Sequence, residues 1–76
     1  MKRITREEAL LEHRNRIYTR IVGLEVDEKT YTRENLIAKD GKDADKIKQK
    51  LQAVKRAIKG NKKTLKIINE MLGELE

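Results

Sequence analysis

Between Asp45 and Glu70 the chain carries nine cationic side chains and no acidic one, Lys46, Lys48, Lys50, Lys55, Arg56, Lys59, Lys62, Lys63 and Lys66. Their chemistry is electrostatic: ammonium and guanidinium groups attract carboxylates or phosphates, and bond rearrangement would need a nucleophile or a base beside them. No such companion is present. His13, the sole histidine, has no second histidine, no cysteine and no acid four residues away, so it reads as an exposed helical residue, neither metal ligand nor base. Asp40, Asp43 and Asp45 cluster around Gly41, but the ligand order and closing glutamate of a calcium loop are missing. They suit a loop and a helix N-cap. The glycine patterns of dinucleotide, P-loop and serine-hydrolase sites are absent. These residues point to no enzyme, no cofactor, no metal and no small-molecule substrate.

The net charge is +6, and its distribution is uneven. Residues 1–45 hold ten basic and ten acidic side chains, whereas residues 46–76 hold nine basic ones against Glu70, Glu74 and Glu76. The excess lies entirely in the last third, which marks that segment as a surface for something negative. With no cysteine, disulfides and thiolate chemistry are excluded. The start, MKRITREEALLEHR, lacks the apolar run of a signal peptide, and its glutamates argue against a transit peptide; no stretch approaches the roughly 18 apolar residues of a membrane span. A cytoplasmic protein without a membrane partner is expected.

The elements that must position these charges are helices. Phe, Trp and Pro are absent, and Ala, Leu, Ile, Glu, Lys and Arg dominate. Thr5-Arg6-Glu7-Glu8 is a capping box, opening a helix over about 5–22 whose apolar residues, Leu10, Leu11, Ile17, Tyr18, Ile21 and Val22, form a broad stripe. Gly23 reads as its stop. Residues 24–43 read as a connector, either with a short helix over 32–39 closed by Gly41 as a left-handed cap or flexible throughout.

From Asp43, a plausible N-cap, the pattern sharpens. Ala44, Ile47, Leu51, Val54, Ile58, Asn61, Leu65, Ile68, Leu72 and Leu75 alternate steps of three and four, the signature of one helix over about 43–75. Gly60-Asn61 interrupts it in composition but not in phase. Ile58 and Leu65 stay seven apart, which favours a continuous rod; a break with Gly60 as C′ residue and Asn61 as N-cap is the alternative. In the rod, Asn61 sits in the seam, where an interhelical asparagine pair fixes register.

With Leu51 at heptad position a, Lys48, Lys55 and Lys62 fall at e, Lys59 and Lys66 at b, and Arg56 and Lys63 at f. They form one contiguous basic face. Acids to balance it must come from Glu7, Glu8 and Glu12 of the first helix or from another molecule. The fold expected is all-α, a helical hairpin with a long coiled-coil-like C-terminal helix. Because the seam looks wider than the first helix can cover, assembly into a homodimer or tetramer is expected as well.

For function, the sequence favours a small regulatory or adaptor protein, inhibitors included, that docks its basic face on an acidic protein. Non-specific nucleic-acid binding is the alternative. Lysine is a point charge, not a bidentate reader of bases, and no aromatic side chain interleaves the run to stack on them.

Overall fold

A computed structural model of the chain describes residues 4–38 and 41–75. Two helices of 33 residues each, α1 (Arg6–Ala38) and α2 (Lys42–Glu74), pack on one another as a hairpin, with no strand among the described residues. Each rod is about 50 Å long at 1.5 Å per residue. The radius of gyration is 17.2 Å, against about 11 Å for a compact domain of this length. The molecule is therefore two helices side by side, each with one neighbour.

Helix α1 begins where the capping box places it. The Glu8 amide donates to Thr5 Oγ1 at 3.1 Å and the Ala9 amide to the Thr5 carbonyl at 3.0 Å. Among the described residues the return bond from the Glu8 carboxylate is not formed.

The far end of α1 corrects the sequence reading. The helix does not stop at Val22, and residues 23–38 are neither connector nor separate short helix. Gly23 is an interior helical residue, which costs roughly 1 kcal/mol relative to alanine and does not end a helix by itself. Thr30 and Thr32 weaken a helix when their hydroxyls compete with the backbone. Here each hydroxyl instead donates to the carbonyl four residues back, Thr30 to Val26 at 2.9 Å and Thr32 to Glu28 at 2.7 Å. Lys39 and Asp40 lie outside the described residues, so the carboxylate cluster is seen only at Asp43 and Asp45.

Gly41 is not the left-handed end of a short helix. It is the N-cap of α2, at φ 101° and ψ −172°. Asp43, read as the N-cap, lies with Asp45 in the first turn, where a carboxylate favours the positive end of the helix dipole. At the other end of the reading, the continuous rod is what the structure has: α2 passes through Gly60 and Asn61 unbroken.

The seam explains why both helices run so far. On α1, Leu10, Arg14, Ile17, Ile21, Leu24, Glu28, Tyr31, Asn35 and Ala38 are all buried or half-buried, at alternating steps of four and three. On α2 the residues from Ala44 to Leu72 read as a and d are likewise buried or half-buried, and Leu75 at the end is exposed. Ile17, Ile21 and Ile68 form the tightest cluster, with Leu10, Leu65 and Leu72 against it. The first half of α1 thus lies beside the second half of α2. At the opposite end the Lys50 ammonium sits 5.9 Å from the Tyr31 ring centroid, a cation–π contact.

A Cβ added at Gly23 or at Gly60 would meet nothing within 4 Å. Each Gly→Ala change should therefore stabilise the protein by up to about 1 kcal/mol, a rise of about 4–8 °C in melting temperature. A thermal melt that fell for Gly60→Ala would mean a chain broken at that residue.

Candidate partner-binding face

Lys48, Lys55, Arg56, Lys59, Lys62, Lys63 and Lys66 are all exposed, as positions outside the a/d seam should be. Five of them converge. Lys55, Lys59, Lys62, Lys63 and Lys66 line an open groove of about 530 Å³ together with Ile58 from the seam and Glu28 from α1. Lys48 and Arg56 extend the face beyond the groove without lining it.

Each of the five groove lysines has another three or four residues away on the same helix. Like charges at that spacing destabilise a helix by roughly 0.2–0.5 kcal/mol per pair. Among the described residues no ion pair offsets this. The one ion pair among the described residues joins Arg16 to Glu12 at 2.8 Å, within α1 and on its exposed surface. Glu7, Glu8 and Glu12, expected to balance the flank, do not reach it, because the antiparallel arrangement sets the first turns of α1 beside the last turns of α2. Glu28 is the only acid in the groove, and it forms no ion pair among the described residues.

The two grooves between the helices differ in charge. The second, of about 400 Å³, combines Glu34 and Asp43 with Lys46 and Lys50 over Ile37, Ala38 and Ile47. Its charges are matched within the chain. The first groove has five ammonium groups against one carboxylate.

Glu28 was not legible as part of the site, because residues 24–43 read as a connector. The signal was present, since Glu28 continues the four–three spacing of Ile17, Ile21 and Leu24. Asn61 lies inside the unbroken α2 and so caps no helix end. Its amide nitrogen donates to the Ala57 carbonyl of the same helix at 2.7 Å. His13 is exposed, and no three His, Cys, Asp or Glu side chains among the described residues come together as a metal site. No helix among the described residues is long and apolar enough to cross a membrane. The chain matches no family model, no curated protein and no solved structure.

Proposed function

We propose that this chain is a non-enzymatic regulatory or adaptor protein that docks the lysine-lined groove of α2 on an acidic surface of a partner protein. The observation that carries the reading is the unbalanced charge of that groove, five lysines facing a single glutamate. A folded chain that tolerates such repulsion gains from a ligand that brings carboxylates. The groove walls favour a protein ligand. The lysine stems offer apolar surface beside the ammonium groups, which a protein can cover with side chains and a phosphate backbone cannot.

The test is capture from native lysate on the immobilised chain, with and without nuclease, beside the triple variant Lys59→Glu, Lys62→Glu, Lys66→Glu. These positions lie outside the seam, so helicity should be unchanged. Affinity for the captured protein should fall on the order of a hundredfold, through lost attraction and new repulsion. Capture that vanishes with nuclease, together with binding of a fluorescent duplex whose log affinity falls linearly with log salt, would establish phosphate binding instead. Capture indifferent to the triple reversal would leave the lysines as a solvated face.

A further inference from the structure

The unbroken α1 has a second regular row, on the side away from α2. Two residues out of phase with the seam, roughly 160° round the helix, Glu8 and Glu12 stand at one end, Val22 and Val26 in the middle, and Lys29 and Arg33 at the other. Asn15 and Thr19 fill the steps between. Every one of these side chains is exposed, Val22 by 44% and Val26 by 59%. Tyr18, 61% exposed, borders the apolar centre.

The order acid, apolar, base along one straight row is self-complementary only when reversed. A parallel copy would set Glu12 beside Glu12 and Lys29 beside Lys29. An antiparallel copy, related by a two-fold axis beside Val22, brings Arg33 to Glu12 and Lys29 to Asn15 of the second copy, and packs Val26 against Tyr18 and Thr19. Each contact then occurs twice, as an isologous interface requires. Glu12 already bonds Arg16, but that pair is exposed on both sides and carries little energy, so its carboxylate has room for a second cation.

Two further observations favour a second copy on this face. Val26, Lys29, Thr30 and Arg33 line a shallow recess of about 230 Å³. Their spacing i, i+3, i+4, i+7 is that of the four-residue socket into which a facing helix inserts a side chain. The chain also exposes 6575 Å², whereas a compact monomer of 8.9 kDa exposes about 4,800 Å². The excess, about 1,800 Å², exceeds the roughly 800 Å² per partner that a standard interface covers.

We infer that the chain forms an antiparallel two-fold dimer through this outer row of α1, centred on Val22. The expectation of self-association through residues 44–75 is thereby moved to a different surface, since α1 covers most of that seam, leaving Leu75 exposed. The row contains no residue of α2, so the lysine flanks of the two copies are not forced together.

Light scattering and sedimentation of the full chain test this. The expected mass is twice 8.9 kDa, and Val22→Glu should return it to that of the monomer with the helical circular dichroism signal retained. Glu12→Lys and Arg33→Glu should each weaken the dimer about tenfold, and the double variant Glu12→Lys/Arg33→Glu, which swaps the charges, should restore it to within about threefold of the parent. A monomer mass at high concentration would overturn the inference. So would a dimer that survives Val22→Glu, or a charge swap that fails to rescue.

Discussion

Ile21→Ala is expected to lower stability by about 2–5 kcal/mol, the range for deleting a buried isoleucine side chain beyond Cβ. Ile21 is 4% exposed and packs in a buried cluster with Ile17 and Ile68. A hairpin has no further layer of side chains to collapse into the space. The relative effect is large, because a chain of this length has on the order of 4–11 kcal/mol in total. Arg20→Ala, one position earlier and exposed, should change stability by less than about 0.5 kcal/mol. Urea unfolding of the two variants checks the register of α1: comparable losses would place the seam elsewhere on the helix.

Gly41→Ala is expected to cost about 1–3 kcal/mol, although the added methyl group meets nothing. An alanine Cβ at Gly41 has no neighbour within 4 Å, so the cost is backbone conformation alone. At φ 101° and ψ −172° the residue occupies a region essentially restricted to glycine. Mirror symmetry supplies the control. A D-residue reaches these angles as readily as an L-residue reaches φ −101° and ψ 172°, which is ordinary extended backbone. Chemical synthesis with D-alanine at position 41 should therefore preserve or raise the melting temperature, while L-alanine lowers it by about 4–8 °C per kcal/mol. Equal melting temperatures for the two would mean that the turn does not hold position 41 at positive φ.

The two helices were unequally legible in the sequence, for a physical reason. In α2 the seam positions are apolar with the single exception of Asn61, so periodicity alone located them, and with them the e, b and f positions that carry the lysines. In α1 the same spacing is occupied by Arg14, Glu28, Tyr31 and Asn35, which can bury stems or rings while keeping a polar end. A pattern of apolar residues is blind to such positions. The apolar pattern therefore ends near Gly23, and nothing in it marks Glu28 as a wall of the groove. Thr30 and Thr32 lower helix propensity over the same stretch, and the packing of the seam, which propensity does not contain, outweighs them. Asn35 shows what a polar seam costs, since its side-chain oxygen is buried without a hydrogen-bond partner among the described residues.

Both the groove that we propose as the docking face and the outer row that we propose as the dimer face depend on α1 continuing from Gly23 to Ala38. Glu28 walls the first, and Val26, Lys29 and Arg33 belong to the second. Amide hydrogen exchange resolved by nuclear magnetic resonance measures that continuity residue by residue. The account predicts helical Cα shifts and slowed exchange for the amides of residues 24–37, comparable to those of residues 10–22. Coil shifts and unprotected exchange beyond Gly23 would contradict it.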